Sequence, residues 1–128
     1  MAVTLKIDQR SGVPAYRQIM DQVLGGISAG KLRPGDQLPP VRQLAADLAI
    51  NPNTVVRAYR ELEIREVLAT QQGTGTFLTD KKPAVDGLER QRRIGQLCGD
   101  LLARAGAEGI ELAEIIAYLN KLQSDGTT

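Results

Sequence analysis

"NPNTVVRAYREL", residues 51–62, is the stretch on which the reading of this chain turns. It is a helix whose beginning is spelled out residue by residue. Asn51 is a favoured N-cap type, with a side-chain oxygen able to accept an early helical N–H. Pro52 falls at the first helical position, where its preset φ suits the helix and its missing N–H costs nothing. Val55, Tyr59 and Leu62 then give the helix one apolar side. Asn53 and Thr54 serve neither purpose. They leave an amide and a hydroxyl bare at the opening, which is either a plain cap or a surface offered to a partner.

The neighbouring segments give the helix its context. Just upstream, "PVRQLAADLA", residues 40–49, reads as a shorter helix with Pro40 in its first turn and Val41, Leu44, Ala45 and Leu48 on one face. Only two or three residues around Ile50 separate the pair, the helix-turn-helix pattern. Further upstream, Pro14 opens a helix with Tyr16, Ile19, Met20, Val23 and Ile27 in a stripe, and Gly30 stops it. Pro34-Gly35 marks a turn, and "VTLKI", residues 3–7, reads as a short strand. Downstream, the period changes. Val67–Thr70 and Thr76–Thr79 flank "QQGTG" and read as a β-hairpin. Three helices followed by a hairpin make a winged helix-turn-helix.

"DKKPAVDG", residues 80–87, reads as a linker. Two amphipathic helices follow, one carrying Ile94, Leu97, Cys98, Leu101, Leu102 and Ala105, the other Leu112, Ile115, Ile116, Leu119 and Leu122. A hairpin of roughly 40 residues is too small to hold a deep core alone, so its apolar faces need a partner. The expected fold class is therefore mainly α with a small β-hairpin. Residues 1–80 are expected to form a winged helix-turn-helix domain, and residues 81–128 a linker and two-helix unit.

Composition narrows the function classes. At 128 residues and 42% hydrophobic content the chain can pack a core, and 3% aromatic content makes that core aliphatic. No apolar run approaches the roughly 18 residues of a membrane span, and the N-terminus lacks the features of a secretory signal. The single Cys98 has no internal disulfide partner, and a cytoplasmic location is expected. There is no histidine, hence neither the commonest general base nor the commonest metal ligand. No cofactor or metal is expected, and an enzyme is the weakest reading. Net charge is only +1, with nine basic and eight acidic groups in residues 1–80 and seven of each in residues 81–128. Nucleic-acid binding would have to arise from local placement of charge.

The segments "PGDQLPPVRQLA", "NPNTVVRAYRELE" and "GTGTF", in this order and spacing, resemble the DNA-binding domain of the GntR family of bacterial transcription regulators. The likeness runs from about Val3 to Leu78. The two-helix tail and the "NPNTV-RAY-ELE" wording are similar to the YtrA-like subfamily. That resemblance implies a small dimerising helical unit and a setting beside transporter genes. Two positions depart from the family pattern. Pro40 stands where a capping serine is usual, a loss on the order of 1 kcal/mol that the proline's preset backbone partly offsets. Glu66 stands where glycine is usual, so either a left-handed backbone carries a side chain at roughly 1 kcal/mol, or the turn is built differently.

In a helix-turn-helix the opening of the second helix faces base edges in the major groove. The candidate DNA-binding residues on the helices are Arg42, Asn51, Pro52, Asn53, Thr54 and Arg57. Asn53 suits adenine, Thr54 a phosphate or thymine methyl, and the opening's N–H groups a phosphate. Asn51 either caps only or also reads. The resemblance implies a DNA contact for Arg42, whose rival role is a solvated arginine pairing with Asp47 or a neighbour. Arg57, on the same face as Asn53, is expected at the backbone, and Arg60 and Arg65 at the ordinary surface. Gln72, Gly73, Thr74 and Gly75 form a wing tip that lacks the Lys-Ser/Thr ending of a phosphate loop. Tyr16 and Tyr59 are expected in the core, with Cys98 a buried, inert hydrophobe.

The dimer interface is expected at Leu97, Leu101, Leu112, Ile115, Ile116 and Leu119, since two short helices cannot enclose a ligand site of several hundred Å3. Together these expectations describe a homodimer that binds double-stranded DNA at a palindromic operator, and the resemblance implies that it represses transcription. The rival class is a helical protein-interaction module on a winged-helix fold. The sequence leaves any small-molecule effector open.

Overall fold

The computed structural model describes residues 4–81 and 85–125. The chain divides into two compact units, the first ending at Lys81. The first contains α1 (Ala15–Ser28), β1 (Gln37–Leu38), α2 (Val41–Leu48), α3 (Pro52–Ile64), β2 (Leu68–Gln71) and β3 (Gly75–Leu78). The second contains α4 (Gly87–Ala107) and α5 (Leu112–Asp125). Among the described residues no helix is long and apolar enough to cross a membrane.

The first unit is a winged helix built around α3, which packs on α1, α2 and β2. Its Val55, Ala58, Tyr59 and Leu62 are buried, and they meet Ile19, Met20 and Val23 of α1 and Leu44 and Ala45 of α2 in one aliphatic core. Ile27, the last residue of the expected α1 stripe, is exposed instead. The Tyr59 hydroxyl donates to the Pro39 carbonyl at 2.7 Å, tying α3 to the chain entering α2. Burial pushes this phenol well above its ordinary range, so it remains a donor.

The hairpin strands lie one residue from their expected bounds, and they belong to a three-stranded antiparallel sheet in the order β1-β3-β2. Leu68 faces Leu78 at the base and Gln71 faces Gly75 at the tip. Val67 falls outside β2 because its N–H completes the end of α3. The strand β1, which pairs Gln37 with Phe77 and Leu38 with Thr76, is too short to announce itself in sequence.

The expected strand over residues 3–7 is not one. Val3 lies outside the described residues, and Thr4–Ile7 run extended without a strand partner. Glutamines of α1 replace the ladder. Gln22 accepts the Lys6 N–H at 2.9 Å through Oε1 and returns an N–H to the Lys6 carbonyl. Gln18 does the same for Asp8, at 2.8 and 3.0 Å. The pinned segment buries Leu5 in the core.

Helix endings carry much of the remaining definition. Helices α1, α2, α3 and α4 each end with paired six-to-one and five-to-two hydrogen bonds around a left-handed residue. Glycine fills that place at Gly30 and Gly109, but Ala49 (φ 55°) and Glu66 (φ 61°) fill it after α2 and α3. Of the two possibilities for position 66, the strained one occurs. The Val67 N–H bonds the Leu62 carbonyl and the Glu66 N–H the Glu63 carbonyl, each at 2.9 Å. The Glu66 carbonyl accepts from Thr79 and its carboxylate pairs with Lys81, an exposed contact of little worth. Pro40 makes no side-chain cap, as expected.

In the second unit Asp86 caps α4 by accepting the Glu89 N–H at 2.8 Å. Arg92 and Arg93 then hold the Glu89 carboxyl below its usual range. Part of the expected linker, residues 82–84, lies outside the described residues. Ala105 is the one described residue of this unit that is buried. Cys98 is consequently exposed, contrary to expectation, because two helices alone cover little of each other.

Replacing Glu66 by glycine removes the left-handed penalty and a weak surface pair. Glu66→Gly is expected to raise the unfolding free energy by about 0.5–1 kcal/mol in urea denaturation. A loss of stability would mean that the Lys81 contact outweighs the backbone term.

Candidate nucleic-acid interface

The opening of α3 combines a closed backbone with open side chains. Asn51 is extended (φ −65°, ψ 132°), and its Oδ1 accepts the Asn53 N–H at 2.8 Å. The Thr54 N–H goes to the Asn51 carbonyl at 3.0 Å, and Pro52 has none to give. This corrects the expectation of several free N–H groups for phosphate, because the cap has already taken them. Side chains remain. Asn51, Pro52 and Asn53 are exposed and Thr54 is half-buried. The Asn53 amide and the Asn51 Nδ2 have no partner among the described residues.

Arg42, the second residue of α2, is exposed and joins neither a hydrogen bond nor an ion pair among the described residues, so the expected rival pairing with Asp47 is absent. Arg57 is placed more specifically. Its guanidinium lies over the Tyr16 ring, 3.8 Å from the centroid. Tyr16 is half-buried and packs against the core on α1. Arg60 and Arg65 are exposed, as expected. The ion pairs found in this unit are Arg17–Asp21 and Lys81–Glu66, so Arg42 and Arg57 are among its basic side chains without an ion pair, on a chain of net charge +1.

The wing tip is a tight turn closed by the Thr74 N–H on the Gln71 carbonyl at 2.9 Å. Gly73, with φ 80°, occupies the position where such a turn demands a positive angle. Gln72, Gly73 and Thr74 are exposed. Gly75, with φ 137°, has a second reason to lack a side chain, because an added Cβ would stand 2.5 Å from Nε2 of Gln37. That amide donates to the Thr74 carbonyl at 3.2 Å and so braces the tip from β1. Gln37 was not legible as part of the wing, because the link spans 37 residues and depends on a strand of two. Tyr16 as a platform was missed for a different reason. Its place on an apolar stripe accounted for the ring without accounting for its open face.

The arrangement has the parts for holding a duplex: unpaired amides at a helix opening, two uncancelled arginines, and a braced glycine-bearing loop. No cluster of cysteine or carboxylate side chains among the described residues could hold a metal ion. No charged side chain among them is buried.

Comparison with known proteins agrees. The pattern described as "Bacterial regulatory proteins, gntR family" matches residues 15–78. The chain is 35% identical over 123 residues to the HTH-type transcriptional repressor YtrA of Bacillus subtilis, covering 94% of this chain and 93% of that protein. It is 34% identical over 121 residues to the HTH-type transcriptional regulator Rv1152 of Mycobacterium tuberculosis, covering 94% and 95%. A solved GntR family transcriptional regulator from Listeria monocytogenes aligns over 90% of this chain and 98% of its own, at 35% identity and a TM-score of 0.59.

The two wing glycines are expected to differ on substitution. Gly73→Ala meets open space and costs only the left-handed backbone, about 1 kcal/mol in urea unfolding. Gly75→Ala carries a rarer angle and displaces Gln37, and is expected to cost about 2 kcal/mol. Equal losses would show that the Gln37 brace adds nothing.

Proposed function

The chain belongs to the GntR family of bacterial regulatory proteins and is a DNA-binding, non-enzymatic transcription regulator; on that premise we propose that it is a homodimeric repressor of a palindromic operator. Residues 1–80 read the DNA, and residues 81–128 link and dimerise. Each α3 enters a major groove with Asn53 at base edges. Thr54 and Arg42 lie at phosphate or base edges, Arg57 at the backbone, and Gln72 to Gly75 at the flanking strand. Asn51 sets the helix opening, and its spare Nδ2 is available to the same groove. The observation that carries this reading is the opening of α3, where the Asn53 and Thr54 N–H groups are taken by the cap and the side-chain tips are not.

The dimer rests on a separate observation. In the single chain Leu97, Leu101, Leu112, Ile116 and Leu119 are exposed, from 44% for Leu101 to 69% for Leu97, and Ile115 is half-buried. Isolated leucines on a surface are ordinary, but this many exposed along two consecutive amphipathic helices call for cover. A second copy supplies that cover and the two-fold symmetry of a palindrome. The name of the Bacillus subtilis relative supports repression. The likeness to the YtrA-like group points to a transporter operon as the target and to action in the cytoplasm.

Fluorescence anisotropy on a palindromic fragment from upstream of the protein's own gene tests the DNA reading. Affinity is expected to fall steeply with salt through counterion release, and indifference to salt would favour a protein-interaction module instead. Asn53→Ala is expected to relax preference by about 1–3 kcal/mol at one base pair per half-site. A uniform loss over all sequences would make Asn53 a backbone contact.

The dimer is tested by sedimentation. Leu119→Glu is expected to yield monomers and to weaken the full palindrome by roughly 100-fold or more while sparing a half-site, as loss of bivalency requires. A variant that stays dimeric would remove this face from the interface.

A further inference from the structure

The contact between Arg57 and Tyr16 joins two helices at the proposed DNA surface, and helix packing does not explain it. Tyr16 already packs its body against the core, and Arg57 stays exposed where its guanidinium covers the ring. Arg57 has no carboxylate partner among the described residues. The Tyr16 hydroxyl has none either. The ring therefore holds the guanidinium by its face alone.

That mode of holding has a chemical consequence. An arginine paired with a carboxylate has its N–H fork occupied. An arginine stacked on a ring keeps all five N–H donors free at its edge and loses much of its side-chain freedom before any ligand arrives. A planar, charged, pre-oriented fork with nothing in it suits a phosphate. Arg57 also lies one helical turn from Asn53, on the face that opens to the DNA.

We propose that Tyr16 is a positioning residue for DNA binding: its ring fixes the Arg57 guanidinium edge-on to a backbone phosphate beside the bases faced by Asn53. The inference rests on the DNA reading of α3 and assigns a role to a residue of α1 that touches no base. Covering the pair with DNA excludes water from it, which strengthens the stacking at the moment of binding.

The test uses the full chain and anisotropy on the upstream palindrome across a salt series, with urea unfolding of each variant alongside. Arg57→Gln is expected to lower the slope of log affinity against log salt by about 0.9 for each subunit bound. Tyr16→Phe keeps the ring and is expected to bind within about twofold of the parent. Tyr16→Leu keeps the apolar body and is expected to weaken binding roughly 3- to 10-fold. The double variant is expected to bind no more weakly than Arg57→Gln alone. Two results would overturn the proposal: stability changes with affinity and slope untouched, or losses from Tyr16→Leu and Arg57→Gln that simply multiply.

Should Tyr16→Leu not fold, NMR of the parent protein gives the answer. Ring-shifted Arg57 side-chain signals must persist in the DNA complex, and their disappearance on DNA addition refutes the arrangement. If the parent binds and Asn53→Ala alters its preference while the Arg57 and Tyr16 variants are silent, only this inference falls. If the parent binds no DNA, both readings fall.

Discussion

Everything in the first unit depends on the burial of one side of α3. Val55, Ala58 and Leu62 are completely enclosed and Tyr59 is 3% exposed. This fixes the rotation of the helix about its axis. A rotation that buries these four residues puts Asn53, one turn before Arg57, on the outside, so the direction of the polar tips is a by-product of core packing. The Tyr59 hydrogen bond to Pro39 limits sliding along the axis as well. On the proposed DNA reading, recognition begins with an apolar constraint and inherits its geometry.

The ends of the helices complete what burial begins. With α2 and α3 separated by so few residues, the chain must reverse within Ala49, Ile50 and Asn51. It does so by placing Ala49 in a left-handed conformation and handing the next residue's N–H back to α2. Asn51 then starts α3 while its own carbonyl is already engaged. Three consecutive residues therefore carry the end of one helix, the turn and the start of the next. That compression sets the angle between the helices. The strain at Ala49 and Glu66 is small beside the core they frame, which explains how the chain tolerates side chains where glycine would be easier.

What could be read from the sequence was what is local. The Asn-Pro start of α3, the stripe of α1 and the glycine-bearing hairpin are each specified by neighbours in the chain, and each lies where expected to within a residue or two. The misreadings have a common cause in distance. Residues 4–7 have strand-like composition, but the backbone of Lys6 is held by Gln22 and that of the following Asp8 by Gln18, both on a helix distant in sequence. β1 exists because β3 returns to it, and the Gln37 brace exists because β1 does. Cys98 was assigned to a core by its leucine neighbours, whereas whether it is covered depends on what faces that helix. At the site, the residue types at the α3 opening were legible. The commitment of its N–H groups and the ring beneath Arg57 were not.

The glutamine clamp on the N-terminal segment has an implication for how the two properties of this molecule are separated. Its four hydrogen bonds join neutral groups, and the core beneath them is aliphatic. Exposed ion pairs contribute little to holding the unit together. The grip on a nucleic acid, by contrast, is made of charge. Folding and binding therefore answer to different features of the cell's interior. A shift in ionic strength that loosens the complex leaves the scaffold intact and ready to rebind. Arginines can be gained or lost at the surface, retuning affinity over generations, without the architecture having to be rebuilt.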